Sequence, residues 1–583
     1  MRLRLGVLAA VVAIAGCNSA AGPHGGMPDG NVLPLDGGTS GFAHLVFNVI
    51  DGDTGLPVPS RVIFRPVPGA GFADSITSGT FDPQSPGSLT GAVVGPGVIG
   101  SPEGVMLSSG LGVVPVPSGT YTLFITRGPE YEAVELPVTL DAGEERNITA
   151  TLDRSVDTRG WLAADMHVHL ARSFDSMLRI ERRAVAMVSN GVEIIVPTDH
   201  NVSTDIAPTL TDLGYGPELV GSVVGNEFSF QDGHAGAYPV PFDATAPNGG
   251  APIYQDPCTG TLVGVNCFHD VDAFPMMHAQ VAGSTVVTLN HPYWAGADLG
   301  YFTNIAWGAG TANPLPAALR SAGLFDAMEV LNGYQVGAAA LNNLTADWFF
   351  LLGQGLRVTA LGNSDTHKIN WVRSGWPRTW LRLANDRPGD TTGAALADAI
   401  RNGRAVASTG PFITFTADGA QIGDVVAPKI PGRVTVAITV DAPGWITVDT
   451  VHVYVDGVEK HKFTVTPGQR PVFQTSFVEP FTSDGWIVVQ ATGATPLPPD
   501  VVGEYSNVNG YQMLPWAITN PIFIDANGDG RVRPPPSPAR GQGRRDRPSP
   551  FGGEVPVGCD PSEQIGTEPT LAAERVLMPL LYP

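Results

Sequence analysis

The sequence predicts an α/β barrel that is flanked on each side by a β-sandwich domain. Between residues 161 and 409, short apolar segments typical of strands alternate with segments of helical periodicity. This alternation favours a parallel sheet whose strands are joined by crossover helices. Before and after this region, short alternating strands separated by turn residues indicate β-sandwiches. A chain of 583 residues is long enough for several such domains.

The chain divides at changes in composition. Residues 18–40 are rich in glycine, proline and serine, and residues 531–550 are rich in proline, arginine and glycine. The expected order is a signal peptide at 1–17, a flexible linker at 18–40, an N-terminal β-sandwich at 41–155, the barrel at 156–410, a C-terminal β-sandwich at 411–525 and a low-complexity tail at 526–583.

The overall charge argues against a nucleic-acid partner. Aspartate and glutamate number 55 against 33 lysines and arginines, which gives a formal charge of −22. Proteins that bind nucleic acid generally present a basic face. The 71 glycines, the 52 prolines and a charged fraction of only 15% are instead typical of an exported protein rich in strands and loops.

The N-terminus has the features of an export signal. Residues 1–4 are basic and residues 5–13 are apolar, a stretch too short to span a bilayer. The segment Ile14-Ala15-Gly16-Cys17 that follows resembles a bacterial lipobox. This resemblance implies that Cys17 is lipidated and anchors a cell-envelope protein, with the outer membrane as the expected location because Asn18 follows it. The alternative is an ordinary signal peptide that is cleaved near Ala20 or Ala21.

Two of the other three cysteines can form a disulfide. Cys258 and Cys267 close a short loop, and an exported protein folds in oxidising surroundings. Cys559 has no obvious partner.

Candidate metal ligands recur after successive predicted strands. His167 and His169 are one residue apart at the end of a strand, so their imidazoles point to the same side. The further ligands follow later strands: Asp199 and His200, Glu227 and His234, His291, and Asp365 and His367. In a barrel the carboxyl ends of the strands meet at the active-site face. Nitrogen and carboxylate ligands without thiolates suit zinc, manganese or iron.

Together these motifs resemble the polymerase-and-histidinol-phosphatase (PHP) domain and, more narrowly, the CehA/McbA metallohydrolases. The resemblance covers residues 157–415. Its motifs are His167-x-His169, Thr198-Asp199-His200, Glu227, Gly233-His234, His291-Pro292, Asp365-x-His367 and Gly410-Pro411-Phe412. It implies a distorted (β/α)7 PHP barrel that carries two or three divalent metals, with zinc expected first and manganese or iron as alternatives.

The resemblance also implies a role for each ligand. The first cation would take His167, His169, Glu227 and Asp365. The second would share Glu227 and add His234 and His291. The third would use Asp175, His200 and His367, unless Asp175 only caps the helix that is predicted to begin near residue 176. Asp199, Asp365 and His367 are the expected catalytic residues, and Asp165 is expected to orient an imidazole.

The expected function is a tethered, metal-dependent hydrolase that cleaves an ester, carbamate or amide bond of a small-molecule substrate. The alternatives are a phosphoesterase, and a non-catalytic surface binding protein with a structural metal site. A separate Asp-rich segment at residues 525–530 resembles half of a calcium-binding loop. Pro536 stands where that loop needs a bidentate glutamate, so a turn stabilised by its own side chains is the preferred interpretation.

Overall fold

The computed structural model describes residues 41–67, 98–101, 104–230, 233–252, 273–293, 300–304, 324–369, 373–503 and 512–535. The predicted lipidation at Cys17, the linker, the Cys258–Cys267 disulfide and the tail beyond residue 535 lie outside these residues. In the part that the structure describes, strands make up 41% and helices 14%. Within this part, no helix is long and apolar enough to cross a bilayer.

The N-terminal strands form two sheets that share one apolar core. One sheet has the order β5-β1-β8 and the other has the order β3-β4-β2-β6-β7. In β1, alternate residues are buried against the second sheet, as expected for a half-buried strand. The strands are β1 (Phe42–Asp51), β2 (Ser60–Pro66), β3 (Val98–Ser101), β4 (Gly104–Leu107), β5 (Leu111–Pro117), β6 (Gly119–Thr126), β7 (Val134–Leu140) and β8 (Glu145–Leu152).

The central part of the chain mixes strands and helices. Its strands are β9 (Trp161–Val168), β10 (Ile194–Pro197), β11 (Gly221–Ser222), β12 (Asn226–Phe230), β13 (Gly233–Tyr238), β14 (Val286–Leu289), β15 (Ala327–Asn332), β16 (Thr359–Asn363), β17 (Arg378–Arg382) and β18 (Ala405–Ser408). Its helices are α1 (Ile180–Ser189), α2 (Ala207–Asp212), α3 (Ala273–Gln280), α4 (Tyr301–Asn304), α5 (Ala338–Gly353) and α6 (Gly393–Arg401).

Two sheets of this central part meet in a half-barrel. Strands β12-β13-β14-β15-β16 form one sheet, and β11-β10-β9-β17-β18 belong to the other. Two isolated bridges, from Val168 to Thr366 and from His200 to Glu227, join the edges of the two sheets. All eight residues of β9 are buried because both faces of this strand are covered.

The predicted distorted (β/α)7 PHP barrel was wrong. The observed fold is mostly β-sheet with few, short helices. Strands β12, β13 and β14 pair antiparallel to one another, and β17 pairs antiparallel to both β9 and β18. Antiparallel neighbours need only a short turn between them, whereas parallel neighbours need a long crossover that is usually a helix. The short apolar segments were therefore equally compatible with a sheet that contains antiparallel strands, which the prediction did not consider.

The C-terminal strands continue the sheet that contains β9. Strand β27 pairs with β18, with Thr519 opposite Val406, so the sheet crosses the predicted domain boundary at residue 410. A separate sheet has the order β20-β19-β22-β25. The elements are β19 (Phe412–Ala417), β20 (Ala420–Gln421), β21 (Val425–Val426), β22 (Arg433–Asp441), β23 (Thr450–Val455), β24 (Val458–Thr464), β25 (Phe473–Pro480), β26 (Gly485–Thr492), α7 (Pro499–Val502), β27 (Trp516–Thr519) and β28 (Ile522–Ile524).

Candidate metal centre

The nine residues that the sequence predicts as metal ligands lie together. Their side chains form four overlapping groups, and the ligand atoms of each group lie within 4.8 Å of one another. The side chains of Asp175 and His367 are the most accessible, at 31% and 15% exposure, and the others are buried. The residues are His167, His169, Asp175, His200, Glu227, His234, His291, Asp365 and His367.

The strands place these residues at the junction of the two sheets. His167 lies in β9 and His169 follows its last residue, so both imidazoles emerge on one side of that strand. Glu227 lies in β12 and His234 in the paired strand β13. Asp365 follows the end of β16 by two residues. Asp365 has a φ of 54° and His291 one of 22°, left-handed values that ligand residues are known to tolerate at functional sites.

Glu227 occupies the middle of the cluster. Five of the six imidazoles place a ring nitrogen 3.0–3.4 Å from its carboxylate oxygens. The amide of Asn290 donates to Oε1 at 2.8 Å, while Oε2 is buried without a hydrogen bond. A buried carboxylate with an unsatisfied oxygen is costly unless a cation compensates it.

The outer nitrogens of the first two histidines are already occupied. Nδ1 of His167 donates to Oε1 of Glu329 at 2.8 Å. Nδ1 of His169 lies 3.1 Å from the hydroxyl of Ser173, which itself donates to Asp175 at 2.8 Å and therefore accepts from His169. In its neutral form each imidazole has a single N–H, at Nδ1, and its inner nitrogen Nε2 then carries a lone pair. Both Nε2 atoms are buried and make no hydrogen bond.

Two histidines meet a carboxylate on the accessible side of the cluster. Nδ1 of His367 donates to the backbone carbonyl of Asp365 at 2.8 Å, because a carbonyl oxygen can only accept. Its Nε2 lies 2.9 Å from Oδ2 of Asp175, and Nε2 of His200 lies 3.0 Å from the same oxygen. Two ring nitrogens and a carboxylate oxygen thus converge, and a divalent cation could take the place of the protons that join them.

The spacing of the ligand atoms fits a divalent cation. Ligands about 2.1 Å from an ion in tetrahedral arrangement lie about 3.4 Å from one another. Nε2 of His167 and His169 lie 3.1 and 3.2 Å from Oδ1 of Asp365. Unpaired, buried nitrogens at this separation from carboxylate oxygens match the requirement, and the residues can therefore hold a metal ion.

Burial and charge set the ionisation of the cluster. Burial lowers the pKa of His169 to about 3 and that of His234 to about 4, which keeps both rings neutral and able to bind a cation. Burial also acts to lower the pKa of His200, but the carboxylates of Glu227 and Asp175 raise it to about 10. Burial acts to raise the pKa of Glu227, yet the imidazoles of His167 and His200 hold it well below its usual range.

Glu329 belongs to the site although the sequence analysis missed it. It is wholly buried in β15, where its Oε1 accepts from His167 and its Oε2 accepts from the backbone N–H of His291 at 2.8 Å. The amides of Asn332 and Asn363 donate to the same carboxylate at 2.9 and 3.0 Å. The sequence signal that could have identified Glu329 is an acidic residue inside an apolar strand, because a buried acidic side chain is rare without a partner.

Asp199 and Asp165 stabilise the loops around the ligands. Asp199 accepts from the backbone N–H of Leu170 at 2.6 Å and from the hydroxyl of Thr204. Asp165 accepts from the backbone N–H groups of Ser364 at 3.1 Å and Gly375 at 3.0 Å. Neither belongs to the described ligand groups, so the catalytic role predicted for Asp199 stays a prediction.

Several other expectations have clear structural outcomes. Helix α1 begins at Ile180 and no side chain caps it, so Asp175 is not a helix cap. Arg378 is buried and donates to the backbone carbonyls of Gly375, Asn190 and Gly191, so its guanidinium does not face the ligand groups. Asp525 accepts from the backbone N–H groups of Gly528 and Gly530, at 2.9 and 2.8 Å, as in the preferred turn interpretation.

No family model matches this chain, and no curated protein matches it either. A function for the chain therefore rests on the geometry of the ligand residues.

Proposed function

We propose that the protein is a metal-dependent hydrolase that cleaves an ester, carbamate or amide bond of a small substrate. One observation carries the proposal: nitrogens of buried imidazoles converge with carboxylate oxygens, and the cluster stays accessible to solvent at Asp175 and His367. A purely structural metal site is generally closed by protein ligands, whereas a catalytic site keeps a position for water or substrate.

In this proposal the residues of the four ligand groups hold two or three cations. Glu227, Asp365 and Asp175 contribute three carboxylates, a charge that more than one divalent ion would balance. His167, His169, Glu227 and Asp365 would hold the first ion. Zinc is the expected metal because imidazoles outnumber carboxylates, and manganese or iron are alternatives. Bound in such a set, divalent cations supply a more acidic water and a polarised carbonyl oxygen.

The chain's own residues orient this chemistry. Glu329 fixes the ring of His167 and the backbone of His291. Ser173 fixes the ring of His169 and one oxygen of Asp175. Asp365 and His367 are the proposed catalytic residues, and Nδ1 of His367 donates to the backbone carbonyl of Asp365 at 2.8 Å, which fixes the ring beside the ligand groups.

The charge around the site favours a carbonyl substrate over a phosphate ester. Arg378 and Arg373 are both buried and donate to backbone carbonyls, Arg373 to that of Ile369. A phosphate-binding site would use such guanidiniums on the ligand. The resemblance of the ligand motifs to the CehA/McbA metallohydrolases supports the same reaction class, and an envelope anchor at Cys17 remains part of the proposal.

A substrate-class comparison tests the proposal. The purified protein would be loaded with zinc or manganese and assayed on p-nitrophenyl acetate, an aryl carbamate, an anilide and p-nitrophenyl phosphate. We expect turnover of at least one carbonyl substrate that is lost on chelation and restored by metal. Turnover of the phosphate alone would replace the proposal with a phosphoesterase. Metal binding without any turnover would support a binding protein.

A further inference from the structure

Helix α1 carries an arginine whose donors are all used near the metal ligands. Arg183 is wholly buried. Its Nε donates to the carbonyl of His169 at 3.2 Å, and its Nη2 donates to the carbonyls of Thr366 and His367 at 3.0 and 2.8 Å. Its Nη1 donates to the hydroxyls of Thr366 and Ser374 at 2.8 and 3.0 Å. A guanidinium has five N–H groups, so every donor has a partner.

These partners belong to two different ligand-bearing loops. One loop follows β9 and contains His169, and the other follows β16 and contains His367. The two imidazoles stack with their ring centroids 3.9 Å apart and an angle of 15° between the planes. Both rings are members of the group that also contains Asp175 and His200. The guanidinium of Arg183 therefore connects, by hydrogen bonds, the backbone segments that carry His169 and His367, two stacked ligands of one group.

The N-terminal strands hold α1 from its other side. Arg182 donates to the carbonyl of Gly100 at 3.1 Å, and Arg127 donates to the carbonyl of Val188 at 2.9 Å. Met106 packs in one apolar cluster with Val185 and other residues of the helix. Because the helix is fixed at its outer side, the position of Arg183 is fixed as well.

We propose that Arg183 is a positioning residue that sets the separation of His169 and His367, and through it the affinity of the group with Asp175 and His200 for a divalent cation. Metal affinity depends on ligands that are held within a fraction of an ångström. All the acceptors of Arg183 are neutral oxygens on the loops, so its contribution is geometric. A lysine has one donor nitrogen and cannot reach both loops at once. The proposal depends on the metal centre and not on which bond is cleaved.

Titration of the metal-free protein with Co²⁺ tests this role, because the visible absorption of the ion reports on its ligand geometry. We expect Arg183→Lys to weaken one class of Co²⁺ ions by at least about 10-fold, as loss of a supporting contact does. The absorption of that class should change, while the ion held by Glu227, His234 and His291, which uses neither His169 nor His367, binds as before. Arg179→Lys, at an exposed side chain just before α1, should leave every class unchanged.

A milder variant covers the case in which Arg183→Lys does not fold. Ser374→Ala removes a single acceptor of the guanidinium and should weaken the same class of ions by a smaller factor. The proposal is wrong if both foldable variants bind every Co²⁺ ion with wild-type affinity. It is also wrong if all classes weaken together, since that would show a general loosening of the centre, or if the wild-type group with Asp175 never binds Co²⁺.

Discussion

Nε2 of His169 and Oδ1 of Asp365 lie 3.2 Å apart in the interior, and no hydrogen bond joins them. The N–H of His169 is at Nδ1 and donates to the hydroxyl of Ser173. Nε2 of His169 and Oδ1 of Asp365 are therefore two acceptors that face each other. In a medium of low polarity a cation between the two atoms would stabilise this arrangement. The pair therefore indicates, independently of any resemblance to a family, that the cluster could hold a metal ion.

Glu227→Gln should remove bound metal and abolish turnover while the strands stay folded. The carboxylate lies within 3.4 Å of five imidazole rings, so its neutralisation affects more than one cation. We expect a loss of metal affinity greater than about 100-fold, more than loss of an outer contact causes. Metal analysis after dialysis measures it. His278→Ala, on α3, is the control and should retain full metal and activity.

Asp175→Ala should remove one ion and spare the rest. Asp175 is the most accessible carboxylate of the cluster and contacts only the rings of His200 and His367 through Oδ2. An accessible site loses its ion more readily than a buried one, so this ion should leave first during graded chelation. Metal counts at each chelator concentration should show an early step in the wild type and none in the variant. A wild type that never exceeds two ions would contradict the third site.

Glu329→Gln should weaken metal binding by about 10- to 100-fold, the usual cost of losing a partner that orients a ligand. Glutamine has one acceptor oxygen, so it can serve either the ring of His167 or the backbone of His291 but not both. Competition with a chromophoric chelator measures the affinity. Glu479→Gln, which contacts His461 in the C-terminal strands, should leave metal affinity unchanged. Equal effects in the two variants would argue against this role.

Stability should fall as pH rises through the range in which Glu193 loses its proton. Burial and the nearby carboxylate of Glu130 raise the pKa of Glu193 to about 8, against an ordinary value of 4.5. Between these two values the folded protein binds the proton more tightly than the unfolded chain, so unfolding becomes easier as pH increases.

Glu193→Gln should remove this dependence because an amide does not titrate. The difference in melting temperature between pH 5 and pH 8.5 should shrink, by less per kcal/mol than the roughly 2–4 °C of a 150–250-residue domain because this chain is longer. Glu181→Gln, on the exposed side of α1, serves as the control and should leave the difference as in the wild type. A variant with an undiminished difference would show that other groups cause the pH dependence.

The ligands could be predicted from sequence while the fold could not, and the reason is physical. Two histidines one residue apart at the end of a strand point to the same side, whether the adjacent strands run parallel or antiparallel. His167 and His169 therefore identified the site without knowledge of the strand directions. A short buried strand such as β14 gives the same apolar pattern in both arrangements, and the direction of pairing is not encoded in it. Glu329 and Arg183 were missed because each supports ligands that are distant in sequence.

Strand β18 pairs with β27, so the chain cannot be divided between these strands without exposing the edge of a sheet. A truncation at residue 410 would strip β18 of its partner and leave a row of unpaired N–H and C=O groups along an apolar edge. Such edges recruit strands from other molecules and lead to aggregation. The C-terminal strands thus protect the half that carries the metal-ligand cluster from self-association, and we expect deletion of residues 411–535 to give an insoluble product instead of a smaller folded protein.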